Sequence, residues 1–300
     1  MAPPATGAPA LEPQEVEEIR EEVAARHGGC ASGSAALAGW LGVEPPAERP
    51  GASGYDLAGE AFDSPARLPS RSLFVAATYR SGSTLLCEAL HAAGLGTPLE
   101  YFREGAAEGE LSRFAGDGFE RRVVEHRTTP GGLFAAKLFW PDLERLRDGG
   151  DDGLLPAALT GPVSWVWLRR RDLVAQAVST LRALSTWRWR EAAGEAQAPE
   201  PGRDFYDFGK LRMLVGLYAE QDRLWGRYLR GGREPLATVW YEELAADPPA
   251  VAGSLAATVS DALGHPAGAV PQPRLARQAD EASLAAAGRF LDELRGGRVP

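Results

Sequence analysis

Cysteine is nearly absent from this chain: Cys30 and Cys87 are the only two in 300 residues. Two thiols cannot build a disulfide framework, and their spacing is not that of a zinc site. No window holds the ~18 consecutive apolar residues that a membrane-spanning helix requires. The N-terminus lacks a basic segment followed by an apolar one, so no secretory signal is read and the expectation is a cytoplasmic protein with no membrane span. Lysine is equally scarce, with Lys137 and Lys210 the only two among 32 basic residues. The dominance of arginine, with abundant alanine and glycine, reads as the base composition of a bacterial-type genome, so arginine number proves nothing and arginine position must carry the argument. The net charge of −9 excludes a protein that coats nucleic acid through its overall field. An anionic ligand would have to be held by a local basic cluster.

What is present is an ordinary globular composition. Hydrophobic residues at 44% and charged residues at 24% exclude wholesale disorder, collagen and coiled coil. The length allows one large domain or two small ones, and needs no disulfide or metal to account for stability. Residues 1–70 read as a partly disordered arm with short helices. Met1 to Pro13 is Ala/Pro-rich, Val16, Ile19 and Val23 recur at helical spacing before Gly28-Gly29, and Ala35 to Leu41 suggests a second short helix. Gly, Pro and Ser dominate from Glu48 to Arg71, a linker composition.

Residues 71–300 have a different texture. Short apolar runs alternate with helical periods, the pattern of β-α units around a mostly parallel sheet. The runs predict strands at Leu73–Ala77, Leu133–Leu138, Pro162–Leu168 and Leu236–Trp240. Helices are predicted at Thr84–Ala93, stopped by Gly94; after a cap at Asp172; at Phe208–Leu229; and over Glu243–Leu263, where Pro248-Pro249 divides a turn from a helix.

Two constellations can carry chemistry. In the first, the apolar strand from Leu73 enters Tyr79-Arg80-Ser81-Gly82-Ser83-Thr84 and passes straight into a helix. Backbone N–H groups at a helix start, with the helix dipole and nearby hydroxyls, form a phosphate cradle, and Arg80 at its mouth adds a charge-assisted contact. A plain turn capped by Ser and Thr is the alternative. It is not a nucleoside triphosphatase loop, because GxxxxGK[ST] is absent. In the second, Trp165-Val-Trp-Leu ends in Arg169-Arg170-Arg171-Asp172, at the strand end where open parallel sheets bind ligands. Period two puts Arg169 and Arg171 on one face, and Ser179, two helical turns on, could grip a second phosphate with Arg171. A solvated basic turn is the alternative here.

YRSGST, LRRRDLVAQAVS, AAKLFW at Ala135 to Trp140 and TPLEYF at Thr97 to Phe102 resemble the bacterial trehalose 2-sulfotransferase family, from about Leu73 to about Arg289. The resemblance implies an α/β fold, a P-loop-like three-layer sandwich with a central, mostly parallel sheet of about five strands flanked by helices. It implies a sulfotransferase that uses 3′-phosphoadenosine 5′-phosphosulfate (PAPS) and no metal, and passes the sulfuryl group to a hydroxyl of a carbohydrate or other small molecule, such as a glycolipid precursor or natural product. By the same resemblance Arg80, Ser81, Gly82, Ser83 and Thr84 grip the 5′-phosphosulfate, Arg171 and Ser179 the 3′-phosphate, and Glu100 is the catalytic base, with Arg80 acting on the transferred group. A homodimer is one arrangement open to such an enzyme.

Sulfuryl transfer asks a protein for positioning, charge stabilisation and a base. Glu100, in an aromatic loop, suits the last role; His91 and His126 are its rivals. Lys137 could approach the transferred group or form a structural ion pair. Tyr241-Glu242-Glu243-Leu244 reads as a packing and capping element. Arg274 and Arg277 could close over the donor, and Trp187-Arg188-Trp189-Arg190, with the stretch to Gly202, could line the acceptor pocket. Two other functions remain open at this point: a magnesium-dependent nucleotide kinase, against which the missing lysine counts, and a catalytically inactive nucleotide-binding protein.

Overall fold

The computed structural model describes residues 10–27, 33–44, 57–148, 161–189, 205–272 and 280–297. Its centre is a parallel sheet of four strands, β1 (Arg71–Ala77), β2 (Leu133–Phe139), β3 (Val163–Arg169) and β4 (Ala237–Trp240), in the order β2-β1-β3-β4. About five strands were expected, and the described residues form four. β1 and β2 are buried almost throughout, as continuous apolar runs must be when helices cover both faces. Leu73, Val75 and Ala77 of β1 and Leu133, Ala135 and Phe139 of β2 join one core cluster. The intervening Phe74, Ala76, Phe134, Ala136 and Leu138 join the other.

Ten helices surround the sheet among the described residues: α1 (Pro13–His27), α2 (Ser34–Leu41), α3 (Ser83–Ala92), α4 (Phe119–Arg127), α5 (Trp140–Asp148), α6 (Leu173–Thr186), α7 (Phe208–Arg230), α8 (Tyr241–Ala246), α9 (Pro248–Leu263) and α10 (Glu281–Gly296). Their starts follow the sequence: Asp172, Asp207, Asp247 and Asp280 each accept a backbone N–H at the head of α6, α7, α9 and α10. None is long and apolar enough to cross a membrane. α7 passes from one face of the sheet to the other, placing Leu211, Leu214 and Tyr218 in the first cluster and Trp225 and Leu229 in the second. At the crossing the Trp225 indole donates to the Ala77 carbonyl at 3.0 Å.

α1 and α2 pack against the rest of the chain: Ile19, Val23, Leu37, Ala38 and Leu41 belong to the first core cluster. Gly216 of α7 makes this contact possible: a Cβ there would lie 2.5 Å from the Val23 side chain. Arg20 then pairs with Glu220 at 2.8 Å on the rim of the same contact. Gly28-Gly29 and residues 48–56 of the expected linker lie outside the described residues.

Strand order sets the place of the site. The chain leaves β1 for β2 on one side and leaves β3 for β4 on the other. The C-terminal ends of the neighbours β1 and β3 therefore flank a topological switch point, the crevice where such sheets bind ligands.

Candidate active site

The β1–α3 turn, Thr78 to Gly82, occupies one side of the crevice. Arg80 adopts φ 59° and Gly82 φ 85°, the left-handed region that costs a residue with a Cβ about 1 kcal/mol or more. At Gly82 a second reason for glycine is steric. A Cβ there would overlap the Tyr241 ring, so the space is filled from α8 before any anion arrives. Three successive carbonyls of the turn are tied back. Thr78 O accepts from Ser81 Oγ at 2.7 Å, Tyr79 O from Gln176 Nε2 at 2.6 Å, and Arg80 O from Arg170 Nη1 at 2.8 Å. No side chain caps the start of α3, so its first N–H groups and the helix dipole face the crevice.

Arg80 spans that crevice. Its Nε donates to Ser179 Oγ at 2.9 Å and its Nη1 to the Trp189 carbonyl at 2.5 Å. The expected cradle residues Arg80, Ser81, Gly82, Ser83 and Thr84 are thus joined to Ser179 and to the segment proposed for the acceptor. Trp187 and Trp189 meet edge to face, with ring centroids 6.3 Å apart.

On the β3–α6 side the three arginines separate. Arg169 forms a two-pronged pair with Asp222, at 2.9 and 2.5 Å, between the Trp167 and Trp240 rings. Arg171 also lies over the Trp240 ring, 4.3 Å from its centroid, and pairs with Glu243 at 2.6 Å while about half exposed. The shared face of Arg169 and Arg171 is therefore seen. The expected grip of Arg171 with Ser179 is not formed here: Ser179 is on Arg80, and Arg171 is turned outward. Alternation along the strand sends Arg170 inward instead, over the Tyr241 ring and onto Arg80 O. Glu242 fixes this arrangement by accepting the N–H groups of Arg171 and Asp172 at 3.0 and 3.1 Å. Tyr241 to Leu244 does pack and cap, and it does so against the candidate site.

Glu100 lies on the loop between α3 and α4. Leu99 pairs with Ala136 and accepts from the Lys137 N–H at 2.9 Å, so the loop runs along the edge of β2. There Lys137 Nζ meets Glu100 Oε1 at 2.8 Å, with the lysine 3% exposed and the carboxylate 26%. The ammonium also lies 5.4 Å from the centre of the Phe139 ring, which in turn packs on Tyr79 of the turn at 4.0 Å. Tyr101 anchors the loop: its hydroxyl donates to Thr97 O at 2.6 Å, and burial pushes its phenol well above the usual range. The rival bases have other work. His91 Nδ1 contacts Gly96 O and Thr97 Oγ1, both at 3.1 Å, and His126 Nδ1 contacts Ser64 O at 3.1 Å. Both histidines pin loops.

Sequence reasoning passed over Arg170, Gln176 and Tyr241 as site residues. Gln176 had a signal, since it precedes Ser179 by one helical turn and so shares its face. Tyr241 had none, since its role depends on a strand about 160 residues after the turn. Arg190, Gly202, Arg274, Arg277 and Cys30 lie outside the described residues. Among the described residues no group of His, Cys, Asp or Glu is placed to hold a metal ion.

Residues 72–293 match the family described as Stf0 sulphotransferase. The trehalose 2-sulfotransferase of Mycobacterium tuberculosis (strain Erdman) is 29% identical over 262 residues, covering 71% of this chain and 91% of that protein. The trehalose 2-sulfotransferase of Mycolicibacterium smegmatis is 30% identical over 251 residues, covering 70% and 90%. The sulfotransferase domain of the Synechococcus PCC 7002 olefin synthase shares 19% identity at a TM-score of 0.38, over 78% of this chain and 90% of that one. The match begins at β1, includes both junctions and the Glu100 loop, and ends in α10: the chain belongs to the Stf0 sulphotransferase family and is a sulfotransferase.

Proposed function

We propose that this enzyme moves a sulfuryl group from PAPS to a hydroxyl of a carbohydrate, with residues 71–300 as the catalytic unit and α1 and α2 docked upon it. The observation that carries this reading is the uncapped start of α3 beneath Arg80, beside the switch point. That arrangement suits an anion bound by backbone and one guanidinium without a metal. Arg80, Ser81, Gly82, Ser83 and Thr84 hold the 5′-phosphosulfate. Arg171 and Ser179 take the 3′-phosphate, for which Arg171 must leave Glu243. An exposed pair of this kind is worth only about 0–1 kcal/mol, so the exchange costs little. The sugar acceptor is supported by the two relatives named for trehalose. Trp187 and Trp189 offer ring faces on which a sugar can stack.

The acceptor oxygen attacks sulfur as the bond from sulfur to the phosphate oxygen breaks, leaving 3′-phosphoadenosine 5′-phosphate. Glu100 takes the proton of the hydroxyl. Lys137 holds the carboxylate in place, and Arg80 meets the charge that develops on the bridging oxygen. The nucleotide-kinase and inactive-protein readings have no support from the family match. Glu100→Gln keeps shape and removes basicity, so turnover should fall by roughly 10² to 10⁴ while affinity for 3′-phosphoadenosine 5′-phosphate stays within about twofold. Near-parent turnover in that variant, measured with radiolabelled donor, refutes Glu100 as the base.

A further inference from the structure

We infer that Gln176 is a positioning residue for the donor turn: its buried amide sets the Tyr79–Arg80 peptide plane, and through it the aim of the cradle. The inference rests on the assignment of the 5′-phosphosulfate to residues 80–84. Gln176 is completely buried on α6. Its Nε2 makes two hydrogen bonds, to Thr78 Oγ1 at 2.7 Å and to Tyr79 O at 2.6 Å. A trans peptide points its carbonyl and the following N–H in opposite directions. Holding Tyr79 O toward α6 therefore sends the Arg80 N–H the other way, at the residue where the chain enters its left-handed step. The Tyr79 carbonyl also fixes which way round the amide sits, because a carbonyl can only accept.

The other end of the same side chain adds nothing to stability. Gln176 Oε1 is buried without a hydrogen-bond partner, a penalty that an apolar residue of similar size would avoid. A leucine would relieve that oxygen but forfeit both hydrogen bonds and leave the Tyr79 carbonyl without its donor, a modest net loss of stability. What leucine cannot do is hold the Tyr79 carbonyl. Arg170 and Ser81 secure the neighbouring carbonyls, so loss of Gln176 frees one peptide plane of the three and leaves the turn in place.

Gln176→Leu should melt within about 5 °C of the parent and bind 3′-phosphoadenosine 5′-phosphate roughly 10- to 100-fold more weakly by calorimetry. The KM for donor should rise while the KM for acceptor stays within about twofold, a split that general loosening of the fold does not produce. Gln176→Met is unbranched like glutamine, cannot donate and, if the leucine variant does not fold, supplies the test: it should weaken the nucleotide to a similar extent. Parent-like affinity in a folded Gln176→Leu or Gln176→Met overturns the inference. Arg80→Gly, measured alongside, separates the two claims. If it also binds like the parent, the donor is not at this turn at all; if it binds weakly while the Gln176 variants do not, only the positioning role is lost.

Discussion

The two strand-to-helix junctions at the switch point look alike in sequence and differ in physics. Each follows a strand of the parallel sheet, each carries arginine, and each opens a helix. At β1–α3 the helix start has no side-chain cap and the preceding carbonyls are pulled back into the protein. At β3–α6 Asp172 accepts the Ala175 N–H at 2.8 Å, and Glu242 takes the two N–H groups before it. One junction keeps its donors aimed at the crevice, while the other has already spent them on carboxylates. On the proposed assignment, three arginines in a row mark the weaker anion site and a single arginine in a small-residue turn the stronger one.

The comparison is most exposed at Arg80. Arg80→Gly removes the guanidinium and relieves the left-handed strain, so the fold should keep its melting temperature to within a few degrees. Binding of 3′-phosphoadenosine 5′-phosphate should weaken by on the order of 2–4 kcal/mol. A loss below about threefold by calorimetry would mean that the two junctions do not differ as argued.

Arg171→Ala should act more weakly and more selectively. The side chain is about half exposed, and on the present assignment it meets only the 3′-phosphate. Affinity for 3′-phosphoadenosine 5′-phosphate should fall by about 1–2 kcal/mol while that for adenosine 5′-phosphosulfate, which lacks this phosphate, barely changes. Equal weakening of both ligands returns Arg171 to a surface partner of Glu243.

Asp172→Ala tests the capped junction. It should cost ~1 kcal/mol of stability through the lost cap and leave nucleotide affinity within about twofold. A tenfold change in affinity would show that the β3–α6 start takes part in binding after all. The smallest effect lies away from the crevice, at Asp207 on α7. The Lys210 ammonium beside it holds its carboxyl below the usual carboxylate range, with burial opposing. A depressed folded value contributes stability above the unfolded value, near pH 4, and loses it as pH falls through the folded one. Asp207→Asn keeps the cap, so the acid fall in melting temperature should begin slightly later in the variant than in the parent.

The strands and most helix boundaries were legible because their information is local. Leu133 to Leu138 is apolar without a break, Asp172 and Asp207 precede helical periods, and Gly82 lies where a strand must bend into a helix. The turn that carries Arg80 was legible for the same reason, since it comes from adjacent residues. The direction of each arginine at the end of β3 was not. Three neighbours of identical chemistry are told apart only by what faces them, and those partners, Asp222, Glu242 and Glu243, come from α7 and α8. The docking of α1 escaped in the same way, since Gly216 and Val23 have no local reason to meet.

By itself the sequence determined the α/β class, the strand-turn-helix that carries Arg80 and the family resemblance, because hydrophobic periodicity and short-range turn chemistry are written in consecutive residues. Tertiary structure alone decided that Arg170 faces inward while Arg171 faces out, that Lys137 meets Glu100, and that Gln176 holds the Tyr79 carbonyl. Each of these joins residues far apart in the chain. Strand order and helix packing bring such residues together, and a buried polar group then takes whatever partner the fold puts within reach.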